Sequence, residues 1–327
     1  MPVTSVSKDP AALTMTVVAD FPHPLARVWD AYADPRQLEK FWGPPTYPAT
    51  FYRHDMFTGG RSDYVMTGPE GDQSRGYWTF LDVQPHHSFE VRDGFANPDG
   101  SENTDMPSMR MTFQFAPTDA GTRVTTTTHF NSAAELAQLL EMGMEEGMNQ
   151  AMGQMDAVLD DLASFAAGLA TACQILSDTQ VRVSRIIRGS VEAVWEAHHR
   201  ADLMQRWLLG PDGWTMPVCE VATSVGDTYR YEWSETDGDG HFGFTGELVE
   251  SDPPRRAVTT ERMIGTDGPE TTNEMTLTPV EDGTLLNLVI TYPDAATRDM
   301  VLATGMTDGM ETSYARMETD VLATSSA

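Results

Sequence analysis

The side chains best suited to moving protons or holding a metal are scattered along this chain. His86-His87 follow Pro85 in a predicted turn, and His198-His199 close a short predicted helix, where neighbouring positions do not share a face. Neither pair spaces two imidazoles for one ion, and the sequence holds no His-Glu-x-x-His and no Cys-x-x-Cys. No metal and no cofactor is expected. His129 and His241 stand alone in strand or turn segments. His241, just before Phe242-Gly243-Phe244, is an acid–base candidate only if it enters a pocket. Glu145-Glu146 and Asp160-Asp161 read as solvated helix faces, and neither a nucleophile elbow nor a phosphate-binding loop occurs. Cys173 and Cys219 cannot build a disulfide framework, and Cys219 reads as a small strand residue. The chemistry left to expect is binding, with no assured catalytic residue.

Two helical stretches carry the binding signal. Gly143, Gly147 and Ala151 recur at i, i+4, i+8, as do Gly305, Gly309 and Ser313, giving each helix a side-chain-poor stripe. Met144, Met148, Met152 and Met155 flank the first stripe, and Met306, Met310 and Met317 the second. The stripe predicts close helix–sheet packing, and flexible thioethers beside it can line an adaptable cavity. Trp42, Tyr64, Trp78, Trp207, Tyr231, Trp233 and Phe244 are core rings, with a few expected at the rim of an opening.

These segments belong to a duplicated unit. Gly143-Met144-Glu145-Glu146-Gly147-Met148 recurs as Gly305-Met306-Thr307-Asp308-Gly309-Met310, Val28-Trp29-Asp30-Ala31 as Val194-Trp195-Glu196-Ala197, and Gly121-Thr122 as Gly283-Thr284. The order is the same and the offsets are similar, so the chain is two copies of a domain of about 150 residues. The expected domains are residues 12–167 and 179–324, with 168–178 as linker, although Ile175-Leu176 must pack somewhere. Each copy opens on a period-two strand (Met15 to Phe21, Val181 to Ile187), followed by two short helices, strands and turns, and one long helix, 133–165 or 295–322. That is an α+β layout.

Aligning the Gly-Thr turns sets Thr126 and Thr128 against Leu288 and Ile290, and Met111, Phe113 and Phe115 against Asn273, Met275 and Leu277. If these positions point inward, the two interiors differ in polarity and need not hold the same ligand. If they point outward, the threonines are ordinary strand formers.

The formal charge of −28, from 49 acidic and 21 basic residues, repels nucleic acid and anionic lipid, so neither is an expected partner. No apolar stretch is long enough for a transmembrane helix and no signal peptide is visible, which makes the cytoplasm the expected location. The oligomeric state is open.

The motifs together carry a resemblance. Phe21-Pro22, Val28-Trp29-Asp30-Ala31, Asp34-Pro35, Leu38, Phe41-Trp42-Gly43-Pro44 and Gly59-Gly60 resemble the opening half of an AHSA1-type domain (activator of Hsp90 ATPase homology), within the SRPBCC, or START/Bet v1-like, superfamily. Gly121-Thr122-Arg123-Val124 and the Gly-Met helix resemble its closing half. The second copy keeps Trp207, Gly210-Pro211, Gly226 and Gly283-Thr284, lacks the Asp-Pro turn and inserts Leu208-Leu209. The resemblance implies two tandem helix-grip domains, each a curved antiparallel sheet around a long C-terminal helix, often with an apolar cavity. It implies no single reaction, because the superfamily holds carriers, receptors and polyketide aromatase/cyclases. The first expectation is binding of a small hydrophobic or aromatic molecule between sheet and helix. The expected lining is Trp42, Tyr64, Trp78, Phe113, Thr126, Thr128, Met144 and Met148 in the first copy. In the second it is Trp207, Tyr231, Trp233, Phe244, Met275, Leu288, Ile290, Met306 and Met310. The alternatives are an aromatase/cyclase-like enzyme, using Arg61, Tyr64 and Thr126 or Arg185, Tyr231 and His241, and a protein-interaction or co-chaperone-like module. The eukaryotic activators use a separate N-terminal domain on Hsp90, and a first strand near Leu13 leaves no place for one.

Overall fold

The structure, a computed structural model, describes residues 2–161, 168–210, 212–266 and 268–323. Pro211 of the predicted Gly-Pro stop, the predicted helix end at 162–165 and the predicted domain limits at 167 and 324 lie outside these residues. The chain divides into two compact units, Met1–Leu162 and Ala163–Ala327, termed the first and second domains.

The first domain contains β1 (Val3–Asp9), β2 (Thr14–Phe21), α1 (Leu25–Ala33), α2 (Pro35–Leu38), β3 (Ala49–His54), β4 (Arg61–Thr67), β5 (Gln73–Gln84), β6 (Ser88–Phe95), β7 (Met109–Thr118), β8 (Gly121–His129), α3 (Ala133–Glu141) and α4 (Met144–Asp160). The second repeats it with β9 (Ala172–Ile175), β10 (Gln180–Ile187), α5 (Val191–His199), α6 (Ala201–Trp207), β11 (Trp214–Glu220), β12 (Thr228–Glu235), β13 (His241–Asp252), β14 (Arg256–Met263), β15 (Thr271–Val280), β16 (Gly283–Thr291), α7 (Ala295–Leu302), α8 (Met306–Arg316) and a π-helical turn at Met317–Leu322. Each sheet has eight antiparallel strands, ordered β1-β2-β8-β7-β6-β5-β4-β3 and β11-β12-β13-β14-β15-β16-β10-β9, the same topology in both. The α+β architecture is as expected.

The repeated Gly-Thr dipeptide works the same way twice. The hairpin turn expected at Gly121-Thr122 and Gly283-Thr284 lies two residues earlier, at Asp119-Ala120 and Glu281-Asp282, and each glycine opens the strand after it. A Cβ on Gly121 would stand 2.1 Å from Phe21 O, and one on Gly283 2.2 Å from Ile187 O. Thr122 Oγ1 then donates to His23 O, and Thr284 Oγ1 to Gly189 O, each at 2.8 Å. The last strand is thereby stitched to the segment leaving the first long strand.

Several expectations need correction. The first strand is not near Leu13: β1 precedes it and pairs along β2. Residues 168–178 are not a bare linker, because β9 adds to β10 as an edge strand, with Leu176 buried and Ile175 exposed. The closing helices are not continuous. Gly143 (φ 89°) and Gly305 (φ 78°) are left-handed, a conformation costly for any residue with a Cβ, and each separates a short helix from the one that follows. The small-residue stripe does not seat the helix on the sheet either. A Cβ on Gly147 or Gly309 meets nothing within 4 Å, so neither glycine makes a close contact with the sheet. Burial begins further along, at Met148 and Ala151 in α4 and at Ser313 and Tyr314 in α8.

Candidate functional site

Register fixes which side chains share the inner face of each sheet. In the first domain Trp78 lies opposite Ser62 and Asp93, Phe113 opposite Phe89 and Thr126, and Met111 opposite Thr128. All but Asp93 are buried, so Thr126 and Thr128 belong to the inner face. Rings fill that interior. Trp42 meets Trp78 edge-on at 4.6 Å, Phe89 stacks on Phe113 at 4.3 Å, and Phe51 stacks on Tyr64 at 5.0 Å. On α4, Met148 is buried and Met144 half-buried.

The second domain has the same frame and smaller or displaced contents. Met275 lies opposite Leu288, and Asn273 opposite Ile290, the places held by Phe113 with Thr126 and by Met111 with Thr128. Tyr231, Phe244, Met275 and Leu288 all keep accessible surface, as do Met306 and Met310. Trp207 is buried and stacks on Tyr314 at 5.8 Å, within a core against which Met275, Leu288 and Met310 pack. Ile290 joins Val181 and Tyr292, with Leu288 and Met306 against them. Tyr231 and Met275 pack on a third group, Ala222, Tyr229, Leu248 and Ala257. Trp233 stacks on Phe242 at 5.0 Å and approaches Phe244 at 6.0 Å. The expected residues thus fall into neighbouring groups joined through Met275 and Leu288.

The polar groups of these interiors escaped the sequence reading. Asp93, opposite Met109, and Glu261, opposite Thr271, hold the same position in the two sheets. Tyr64 Oη donates to Asp93 Oδ1 at 3.2 Å. Burial pushes the Asp93 carboxyl up to about 7, although Tyr64 and the Trp78 indole both favour its ionised form. In the second domain Tyr229 Oη lies 2.9 Å from Thr260 O and 3.3 Å from Glu261 Oε2. Burial raises the Glu261 carboxyl too, against the opposing pull of Asn273 and Tyr229. Desolvation is the larger cause at both sites, as expected for a carboxyl walled by rings. A signal for both existed: Phe89, Val91 and Asp93 alternate on an apolar face, as do Ala257, Thr259 and Glu261.

The supporting rings have changed places. The β-bulge falls at Phe80/Asp82 in β5 and at Leu248/Glu250 in β13, which aligns Trp78 with Gly246. Ser62 faces Trp78, whereas Tyr229 faces Gly246. A Cβ on Gly246 would stand 2.9 Å from the Tyr229 ring and 1.8 Å from Thr260 O. Where the first domain has Trp and Ser, the second has Gly and Tyr.

The alternative catalytic residues are otherwise engaged. Arg185 is buried and bridges Glu311 at 2.9 Å and Glu318 at 3.3 Å, clamping the closing helix to β10. Arg61 pairs with Asp63 at 2.8 Å and lies over the Tyr77 ring at 4.7 Å. His241 is exposed and hydrogen-bonded to Glu232 at 2.8 Å, so it enters no pocket. His198 Nδ1 donates to Val194 O at 2.8 Å, leaving a buried Nε2 lone pair with no partner beside Trp207. Burial lowers its pKa to about 4. Burial also pushes the half-buried Cys219 thiol up to about 11, the opposite of an activated nucleophile. Among the described residues no three His, Cys, Asp or Glu side chains gather as a metal site, and no helix is long and apolar enough to cross a membrane.

Comparison with known proteins gives the following. The family model for activator of Hsp90 ATPase homolog 1-like proteins matches residues 22–160 and again 188–321. No curated protein matches significantly. Among solved structures, a protein from Mycobacterium smegmatis is 48% identical over 49% of this chain and 98% of its own, with a TM-score of 0.46. One from Arthrobacter aurescens is 43% identical over 49% of this chain and 94% of its own, with a TM-score of 0.47. DynU16, a protein in the dynemicin biosynthetic locus, is 16% identical over 95% of this chain and 98% of its own, with a TM-score of 0.35.

Proposed function

Since the chain belongs, twice over, to the activator of Hsp90 ATPase homolog 1-like family, we propose that it binds a small, mostly apolar aromatic molecule inside its second domain. The observation that carries this reading is the contrast between the interiors. Where Met111, Phe113 and Thr126 are shut away, Asn273, Met275 and Leu288 keep accessible surface, together with Glu261, Tyr231 and Phe244. A site that is mostly apolar with a few polar groups to set orientation is the usual form of a small-molecule pocket. Glu261, Tyr229 and Asn273 are the polar end, and Met275, Leu288, Met306 and Met310 the adaptable wall. A carboxyl raised by burial donates a hydrogen bond when protonated and accepts one when ionised, so it suits a ligand hydroxyl.

The test uses the full chain and Nile red as an apolar probe, followed by tryptophan fluorescence. Leu288→Trp should abolish saturable binding, whereas Thr126→Trp in the first domain should leave it. Equal loss in both variants, or no binding by the unaltered chain, overturns the reading. Glu261 also favours a second reading. A carboxyl with raised affinity for protons, beside a phenol, is equipped for general acid–base chemistry of the aromatase/cyclase kind. That reading requires a bound aromatic to be converted, with turnover lost in Glu261→Gln while binding persists. No observation singles out the interaction-module reading: among the described residues the exposed large apolar side chains, Leu81, Met142, Ile175, Val225, Val249, Met263 and Met300, are spread over five strands and helices and two connecting segments.

A further inference from the structure

The short helix before each closing helix is held down differently in the two domains. Ser132 caps α3 by accepting from Glu135 N at 3.1 Å, and Asp294 caps α7 by accepting from Thr297 N at 2.7 Å, so the next residues, Leu136 and Arg298, hold the same place. α3 buries Leu136 and Leu139, whereas α7 buries only Arg298. Val301 and Leu302 are half-buried, packed on Val181, Ile290 and Tyr292. A helix with few buried apolar contacts opens at a small free-energy cost. The ring beneath it adds to the imbalance. Phe130 and Tyr292 are equivalent, since each amide donates to the residue that precedes β2 or β10, to Leu13 O and to Thr179 O. Tyr292 is 3% exposed, and its hydroxyl, which Phe130 lacks, is buried with no hydrogen-bond partner among the described residues.

What holds α7 is a polar latch. Arg298 Nη1 donates to Ser177 O at 2.6 Å, while its Nε and Nη2 both donate to Asp299 Oδ1, at 2.9 and 2.8 Å. Ser177 lies in the turn between β9 and β10, where its Oγ accepts from Gln180 N at 3.1 Å and its own amide donates to Gln180 O at 3.3 Å. The other end of β9 is tied down too, Thr171 N donating to Glu311 Oε2 at 2.8 Å. We infer that α7 is a lid on the second domain, latched by Arg298 to the β9–β10 turn. It swings about Asp294 and the left-handed Gly305 (φ 78°), which bound it on either side. Opening breaks one charge-assisted hydrogen bond, uncovers Val181 and Ile290, and lets the Tyr292 hydroxyl bond to water. β9 is the keeper of the latch, so displacement of that edge strand releases α7. The first domain has no such device, because Leu136 is seated by apolar burial. The lid rests on this geometry, and only its role as the gate of a ligand rests on the second-domain pocket proposed above.

The experiment follows backbone hydrogen exchange of the full chain by mass spectrometry. Arg298→Met keeps an apolar stem and removes the latch, and should speed exchange in residues 295–302 about tenfold, with β10 and β16 unchanged. Tyr292→Phe removes the buried hydroxyl and should slow exchange in the same segment several-fold. If Arg298→Met fails to fold, Tyr292→Phe still decides. Three outcomes overturn the lid: unchanged exchange in the helix on loss of the latch, equal acceleration of the helix and the sheet, or no slowing with Tyr292→Phe. Nile red tests the gate separately. It should associate faster with Arg298→Met than with the unaltered chain, and equal rates overturn the gating role. An unaltered chain that binds no Nile red overturns the pocket, and hydrogen exchange alone then decides the lid.

Discussion

Asp93 and Glu261 occupy one register position in two sheets, and each takes a tyrosine hydroxyl, at 3.2 Å from Tyr64 and 3.3 Å from Tyr229. The two tyrosines are not equivalent to each other. Tyr64 faces Gly76 across its strand pair, as Tyr231 faces Phe244, whereas Tyr229 faces Gly246. The carboxyl keeps its place while its partner differs by two residues along the strand two places away, β4 in one sheet and β12 in the other.

Acid should strengthen the first domain at Asp93. The folded carboxyl titrates near 7, while in an unfolded chain it does so near 3.9, by the ordinary value of about 3.9. Its stabilising contribution is complete below the unfolded value and is lost as pH rises to about 7. Asp93→Asn should remove a slope of roughly 1 kcal/mol per pH unit in that window and raise the melting temperature at neutral pH. Melts of both proteins across the window check this; parallel curves contradict it.

In the second domain Glu261, also raised by burial, acts in the same sense as Asp93, and His198 acts in the opposite one. His198 is held neutral, with its pKa lowered from 6.5 to about 4. Its contribution is complete above the unfolded value and is lost as pH falls through the folded one. His198→Phe should flatten that loss. Hydrogen exchange at α5, followed as pH is lowered, should show earlier opening in the unaltered chain than in the variant.

Arg185 should matter for stability more than for chemistry. Arg185→Ala leaves Glu311 and Glu318, 40% and 19% exposed, able to regain water, and should cost about 1–3 kcal/mol. The double change Glu311→Gln and Glu318→Gln strands a guanidinium that is only 7% exposed, and should cost more, about 3–5 kcal/mol. Denaturant midpoints give the order, and the reverse order rules out the buried clamp.

The glycines of the closing helices should split into two kinds. Gly143→Ala and Gly305→Ala force a Cβ into left-handed backbone and should destabilise by about 1–2 kcal/mol. Gly147→Ala and Gly309→Ala meet open space inside a helix and should stabilise by roughly 0.5–1 kcal/mol. Thermal melts of the four single variants distinguish the pairs.

The duplicated motifs, the period-two strands and the rings of the core were legible in the sequence because each expresses burial directly. β1 and β9 were not, since edge strands with mostly solvated side chains, such as Ser5, Lys8 and Cys173, lack the alternation that marks a strand. Gly143 and Gly147 look alike as letters, and only backbone geometry shows that one ends a turn while the other faces outward. Trp42, Trp78 and Phe113 were found as ring-bearing positions. Asp93 and Glu261 were passed over because a lone acid in a strand ordinarily faces water, and only the parity of Phe89, Val91 and Asp93 argues otherwise.

The exchange of Trp78 and Ser62 for Gly246 and Tyr229 has a consequence for how such twins diverge. A tyrosine at position 62 beside the existing Trp78 would overfill one volume, and a glycine at position 78 beside Ser62 would leave it hollow. Either first step from one arrangement toward the other is penalised, and only the pair together restores a full interior. The two linings are therefore coupled pairs, and a change at one member alone should cost stability in either half of the chain.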